Sequence, residues 1–492
     1  MKKEFKDLLK DKGRKSMPNV LLASAECAPL SKTGGLADVV GTLPKALAKL
    51  GMDARVITPY HRVIKDKYRD QVEHLFTIRC YLGWRSCYVG VERLILDGVI
   101  IYLIDNEQYF GDKIYRGGYP EGEQYAFFCR AILEALPMLD FIPDVLHCND
   151  WHTAMLPMLL KTQYGGTPLE NVRTLLTIHN IAYQGKFSFG FVHDLLGVDQ
   201  KYYTPEYLEN YGCANFLKCG CVFADRINTV SPSYAQEIRT TEYAEGLDGI
   251  LNARAAQLSG ILNGIDARVF DPETDKTLPK NYTKDDLSGK DECKRALMGE
   301  LGLIYDPDRP VIASISRLTE QKGIDLISQA LPGMVDMGAN VIILGSGQRD
   351  YEDAMRYAES RYRGRVCAYI GYNEELAHRI YAGSDFLIMA SRFEPCGLSQ
   401  MIAMRYGTLP IVRETGGLRD SVIPYNRYTG EGDGFSFGRY DAQDLYFAVE
   451  RALHVYHDKT AMGQMIEAAM TKDFSFPRCA QAYAELYGEI LA

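Results

Sequence analysis

Short apolar runs alternate along the chain with longer amphipathic stretches. Residues 19–26 (NVLLASAE) form a compact run that predicts a buried strand. A glycine loop follows, then apolar positions at helical spacing over 37–50, then a second strand at 54–60 (ARVITPY). This order predicts a parallel sheet with helices on both faces. Further strands are predicted at 144–148, 172–179 and 227–230, each short and followed by polar or turn residues.

The pattern restarts at Pro310. Residues 310–317 (PVIASISR) predict a strand, followed by a Lys-Gly turn and a helix over 323–331. Strands at 340–344, 386–390 and 409–412 run into Gly-Ser-Gly, Ser-Arg-Phe-Glu and Arg-Glu-Thr-Gly-Gly. Open α/β sheets bind ligands outside the carboxyl ends of their strands, so both halves present their chemistry at a sheet edge. The boundary falls within 261–309, where 271–290 is rich in Pro, Asp, Lys and Thr and predicts linker or surface. No short repeat or low-complexity segment interrupts this two-part α/β pattern.

Length agrees, since 492 residues exceed one ordinary core. The chain is 47% hydrophobic and 24% charged, the composition of a soluble globular protein. A net charge of −9 opposes broad binding to nucleic acid or anionic membrane, but leaves room for a local phosphate pocket. Of 12 cysteines none forms a CxxC pair, and Cys219-Gly-Cys221 is the tightest cluster, so zinc-ribbon spacing is absent. That usage fits reduced thiols in the cytoplasm. Residues 1–17 mix charged and apolar positions without the apolar core of a secretory signal, and read as a dispensable extension. No apolar stretch is long enough for a membrane span.

Five loops carry candidate chemistry. Ser31-Lys32-Thr33-Gly34-Gly35-Leu36 joins the first strand to the first helix. Its glycines let backbone N–H groups approach an anion, with the helix N-terminus and Lys32 adding positive charge. It lacks the Walker order. The run Arg317-Leu318-Thr319-Glu320-Gln321-Lys322-Gly323 sets two cations on one strand-to-helix loop, able to clamp a diphosphate and to stabilise a departing phosphate. In Arg392-Phe393-Glu394-Pro395-Cys396-Gly397-Leu398, a carboxylate on a sharp loop suits sugar hydroxyls, or simply caps a helix; Cys396 reads as a small packing residue. Thr415-Gly416-Gly417-Leu418 repeats the glycine loop.

The fifth group is His147, Asp150 and His152 with His179-Asn180-Ile181-Ala182-Tyr183-Gln184-Gly185. A metal site there lacks the helical spacing of zinc proteases. Aromatic rings beside amides suit carbohydrate instead. Each loop alone reads equally as a simple turn. All five stand at strand ends, divided between the two halves.

Together these residues carry a resemblance. KTGGL at 32–36, HNIAYQG at 179–185, ILNGID at 261–266, RLTEQKG at 317–323, RFEPCGL at 392–398 and TGGL at 415–418 resemble the bacterial glycogen synthase family, the ADP-glucose type close to plant starch synthases. The likeness runs from about residue 18 to the C-terminus. It implies a GT-B fold, two Rossmann-like domains facing across a deep cleft, with domains at 18–262 and 263–473. A last segment, 474–492, carries a helix that crosses back to the first domain. The implied reaction moves glucose from ADP-glucose to the non-reducing end of an α-1,4-glucan, with retention of configuration and no cofactor or metal.

The resemblance also implies roles by position. Glu394, His179, Arg317 and Lys322 match the catalytic set, with Arg317 and Lys322 neutralising the leaving diphosphate. Lys32, Gly34, Gly35 and Asp38 match the donor loop. Asp150, Asn180 and Asn263 match cleft residues near glucose or acceptor. Tyr372 matches the aromatic that packs on adenine. Cys396, Gly397 and Leu398 flank the sugar site, and Thr415, Gly416 and Gly417 match the second phosphate loop. Phe270 stands where many relatives carry Trp. Residues 86–91 take no role from the likeness; the tyrosine-rich stretch 202–211 is a candidate glucan contact.

A front-face displacement is expected, since no carboxylate reads as a nucleophile, and half-sites on two lobes predict closure on the donor. The partners expected are ADP-glucose, ADP and α-1,4-glucan, not nucleic acid or membrane. The rivals are a UDP-glucose synthase of the same fold, a phosphorylase, whose pyridoxal-phosphate signature is missing, and a catalytically dead glucan-binding scaffold. A dehydrogenase is opposed by the missing GxGxxG.

Overall fold

The computed structural model describes residues 17–492. The extension expected over 1–17 therefore lies outside the described residues but for Met17, which packs against the first core. The chain forms two compact units: one runs to Asn263 and takes in Phe476–Ala492, the other is Gly264–Ser475.

The first unit holds a nine-stranded sheet. Its strands are β1 (Asn19–Ala23), β2 (Asp53–Pro59), β3 (Glu73–Leu82), β4 (Arg85–Leu96), β5 (Val99–Asp105), β6 (Val145–Asn149), β7 (Arg173–Ile178), β11 (Arg226–Thr229) and β12 (Leu258–Gly260). A small sheet of β8 (Lys186–Phe187), β9 (Glu209–Asn210) and β10 (Cys213–Asn215) stands apart. The large sheet runs β12-β11-β7-β6-β1-β2-β5-β4-β3. It is parallel except where β4 meets β3 and β5. Val20 pairs with Ala54 on one side and Val145 on the other, and is fully buried. A central parallel strand covered on both faces reads as a continuous apolar run. The helix Gly35–Leu50 buries Leu36, Val39, Val40, Leu43, Leu47 and Leu50, the stripe expected of an amphipathic helix.

The last helix, Phe476–Ile490, belongs to this first unit. It buries Tyr483 and Tyr487 beside β6 and β11. The Tyr487 hydroxyl lies 2.8 Å from His147 Nδ1, and Asn228 Nδ2 donates to the Tyr483 hydroxyl at 3.1 Å. Tyr487→Phe would leave one nitrogen of a buried imidazole unpaired, at about 1–3 kcal/mol. The urea midpoint should drop with the slope unchanged. An unmoved midpoint would show that the bond contributes nothing.

The second unit is a six-stranded parallel sheet in the order β15-β14-β13-β16-β17-β18. Its strands are β13 (Val311–Ile315), β14 (Asn340–Gly345), β15 (Val366–Ile370), β16 (Phe386–Met389), β17 (Leu409–Arg413) and β18 (Phe435–Phe437). The expected linker or surface at 271–290 is instead partly packed into this unit. Asp275 is buried and accepts from the Tyr406 hydroxyl at 2.5 Å and pairs with His378 Nδ1 at 2.7 Å. Lys290 is buried too, donating to Tyr406 O, Ala382 O and Thr408 Oγ1. These side chains are polar to meet buried partners, so composition misleads here. Phe270 stacks on His378 with ring centres 4.9 Å apart. Among the described residues no helix is long and apolar enough to cross a membrane.

Candidate active site

In the first unit, β1, β6 and β7 are parallel neighbours, so the loops after them share one sheet edge. The loop after β1 is organised by Glu26, a buried carboxylate that the sequence reading passed over. It accepts from the Thr33 amide, from Thr33 Oγ1 at 2.8 Å and from the Tyr115 hydroxyl at 2.5 Å. Lys32 pairs with Asp38 at 2.8 Å, both partly exposed. Gly34 has extended backbone at φ −156, and a Cβ there would meet nothing within 4 Å. Neither packing nor backbone strain within the protein demands glycine at this point. Gly35, also exposed, opens the helix.

At the end of β6, Asp150 has φ +57, an uncommon conformation for a non-glycine residue and one that collects at functional sites. Its Oδ1 accepts the His179 amide at 2.7 Å and the Asn180 amide at 3.3 Å, tying the ends of β6 and β7 together. Burial pushes its carboxyl from 3.8 up to about 7, against those two hydrogen bonds. Between these values the unfolded chain has lost a proton that the folded protein keeps. Asp150 therefore lowers stability as pH rises from about 4 to about 7, and by a constant amount beyond. Asp150→Asn should remove that share of the decline in denaturation free energy; a profile parallel to the parent's would contradict it.

His179 sits beside Asp150 at 9% exposure, and burial lowers its pKa to about 3, so the ring is neutral. Asn149 fixes the tautomer. Its Nδ2 donates to Ala23 O and His147 O, which leaves its Oδ1 2.9 Å from His179 Nε2. Nε2 therefore carries the proton and Nδ1 the lone pair. Asn180 Oδ1 accepts the Ala182 amide, holding the turn. His147 is a structural residue, with Nδ1 on Tyr487 and Nε2 on Thr177 Oγ1 at 2.7 Å. His152 is buried against Trp151, Tyr115 and Tyr125. The tyrosine-rich stretch is divided: half-buried Tyr202 and Tyr207 pack on Phe223 and half-buried Tyr203 on Phe189, while Tyr211 is exposed. Asn263 is buried, and its Oδ1 has no partner among the described residues.

In the second unit the centre is an ion pair between half-buried Lys322 and buried Glu394. Lys322 Nζ lies 2.6 Å from Glu394 Oε2, and Ser391 Oγ donates to the same oxygen at 2.8 Å. Glu394 is 5% exposed. The expectation that it merely caps a helix fails, because the helix Ser399–Arg405 begins at Leu398 with no side-chain cap. Arg413, also passed over in sequence, is buried and donates to the carbonyls of Ser391 and Arg392, bracing the Glu394 loop. Arg317 is exposed, and among the described residues its guanidinium makes no hydrogen bond or ion pair.

The Thr-Gly-Gly loop lies directly on this loop. A Cβ on Gly416 would stand 2.0 Å from Glu394 O, and one on Gly417 2.1 Å from Cys396 O. The Gly417 amide donates to Glu394 O at 3.1 Å. The two glycines thus have a packing reason of their own, beyond any phosphate: two loops touch backbone to backbone. Thr415 and Cys396 are buried, and Gly397 and Leu398 half-buried. Tyr372, after β15, is 76% exposed and offers a flat ring at the same strand-end edge.

Residues 19–253 match the family of starch synthase catalytic domains, and residues 304–469 match glycosyl transferases group 1. The glycogen synthase of Geobacillus thermodenitrificans is 47% identical over 473 residues, 96% of this chain and 98% of that protein. That of Bacillus cereus is 46% identical over 474 residues, 96% of this chain and all of that one. The catalytic domain of starch synthase IV from Arabidopsis thaliana, solved with ADP and acarbose, superposes with a TM-score of 0.90 at 35% identity, over 97% of this chain and 100% of that one. A sucrose-phosphate synthase from Thermosynechococcus elongatus superposes over 96% of this chain and 98% of its own, with a TM-score of 0.60 at 18% identity, and shares the fold. The two Rossmann-like units are those of the GT-B class.

Proposed function

The chain belongs to the glycogen synthase family of glycosyltransferases, and we propose that it transfers glucose from ADP-glucose to the non-reducing end of an α-1,4-glucan, retaining configuration and releasing ADP. The observation that carries the reading is the pair of half-buried Lys322 and buried Glu394 on the strand-end loops of the second unit.

In this reading Arg317 and Lys322 hold the donor diphosphate, and Tyr372 packs on adenine. Thr415, Gly416 and Gly417 line the phosphate side, while Glu394, Cys396, Gly397 and Leu398 surround the donor glucose. The first unit supplies Lys32, Gly34, Gly35 and Asp38 to the donor. Asp150, His179, Asn180 and Asn263 serve the reacting sugar and acceptor. As the bond from C1 to the phosphate oxygen breaks, negative charge grows on that oxygen and positive charge on the sugar ring. Fixed cations aimed at the oxygen stabilise the transition state more than the ground state. The acceptor 4-hydroxyl attacks C1 from the face the phosphate leaves, and its proton passes to the departing phosphate. His179 Nδ1 is free to accept a sugar hydroxyl. A glucosyl adduct trapped on Glu394 would contradict this route.

No step here calls for a metal, because Arg317 and Lys322 provide the positive charge. Turnover in excess EDTA should equal that in magnesium. Loss of activity to the chelator, restored by a divalent cation, would overturn this. The same reading puts the enzyme in the cytoplasm. The linkage is tested by labelling glycogen from ADP-[14C]glucose and digesting it with an exo-acting α-1,4-glucanase that cuts from non-reducing ends. Label released at once as maltose is expected; label resistant to digestion would exclude that linkage.

A further inference from the structure

The β3–β4 hairpin and the loop after β5 enclose an open cavity of about 790 Å³ in the first unit. It takes in the stretch 86–91 in part, which the resemblance left without a role. None of the residues assigned above to the donor or the reacting sugar lines it. At its rim stands Trp84, 79% exposed, at the tip of the hairpin. Tyr88 adds a second partly exposed ring, and Tyr109 closes the floor.

The charges around the cavity say what it is built for. Two arginines, Arg79 and Arg85, stand against three carboxylates, Asp105, Glu107 and Glu123. Most already have partners. Arg85 pairs with Asp194 at 2.8 Å and Glu123 at 3.7 Å, and Lys65 with Asp105 at 2.7 Å and Glu107 at 3.5 Å. Arg79 donates to Ser86 Oγ and O. A phosphate or carboxylate ligand would face a slight excess of negative charge. Arg79 is the one lining cation without a carboxylate partner among the described residues, and the uncommitted groups beside it are neutral: the indole face and N–H of Trp84 and the exposed carboxamide of Gln108, which make no hydrogen bond among the described residues. The guanidinium of Arg85, 4.8 Å from the indole ring, braces it from one side. Flat aromatic surface beside uncommitted amide and N–H groups matches a neutral polyhydroxylated chain.

Position adds a reason for such a ligand. β1, β2 and β5 are parallel, so the cavity after β5 opens at the same sheet edge as Glu26 and Asp150. β4 lies three strand steps from β1, on the order of 14 Å at the usual strand spacing. Glu123, on the cavity wall, and Tyr115, bonded to Glu26, flank the start of one helix, Gly118–Ala135.

We propose that this cavity, with Trp84 as its platform, is an accessory glucan-binding site that anchors long acceptor chains apart from the catalytic loops. The proposal rests on the glucan reading of the function. A chain held at both places meets the catalytic loops at a raised effective concentration. Short acceptors cannot reach both and gain nothing.

The test compares Trp84→Ala with the parent, using glycogen and maltotriose as acceptors. Trp84 is exposed at a hairpin tip, so the variant should melt with the parent. KM for glycogen should rise about fivefold, the loss expected for one aromatic contact, with maltotriose kcat/KM unchanged. Migration in native gels containing glycogen should be retarded less than for the parent. Unchanged glycogen KM and unchanged retardation would overturn the proposal, and so would an equal loss with both acceptors. If the parent itself fails to release ADP with either acceptor, the functional reading falls. The gel then still reports whether Trp84 holds glucan.

Discussion

Lys322→Ala should lower kcat by about 10²-fold or more, the usual loss when one preorganised donor to a developing anion is removed. Two effects add. The variant loses the charge proposed to meet the departing phosphate. It also strips Glu394 of its 2.6 Å partner and leaves that carboxylate buried, with Ser391 as its remaining donor. An unpaired buried charge is strongly unfavourable, so the Glu394 side chain should move from its place. Steady-state ADP release on a variant shown to be folded by its thermal transition separates this from misfolding. Near-normal turnover in a folded variant would remove Lys322 from the mechanism.

Glu394→Ala should abolish most turnover while ADP binding stays largely intact. The two results differ because the proposed contacts differ. Glu394 is assigned to the donor glucose, and the diphosphate to the cations. Removing the carboxylate frees Lys322, so titration calorimetry should find ADP bound as tightly as by the parent, or more tightly. Loss of ADP affinity together with turnover would mean that Glu394 organises the nucleotide site instead. Glu394→Gln separates charge from shape, since the amide keeps an acceptor for Ser391 but no longer neutralises Lys322.

The residues that announce themselves in sequence are those whose reason is local. NVLLA and VIASI read as strands because each is a central strand, paired along both edges and buried almost throughout. The strands β3 and β4 escaped because their outer positions face solvent and their burial is irregular, so no apolar run marks them. The same holds for the site. Lys32, Arg317, Lys322 and Glu394 stand on punctuated loops that the pattern exposes. Glu26 does not, because it acts through Thr33 nearby and through Tyr115, 89 positions away. Arg413 braces carbonyls more than twenty positions back, and Asn149 sets the His179 tautomer from the neighbouring strand. Such roles exist only once the sheet has formed. Gly416 and Gly417 were legible as a loop, but their contact with the carbonyls of Glu394 and Cys396 was not.

The central claim is a donor and an acceptor, and one measurement reaches both: nucleotide release from ADP-glucose and from UDP-glucose, each with and without glycogen. The account predicts ADP release that depends on glycogen and far outpaces release from UDP-glucose. A preference for UDP-glucose, or no turnover of either donor by a folded protein that binds glucan, would contradict it.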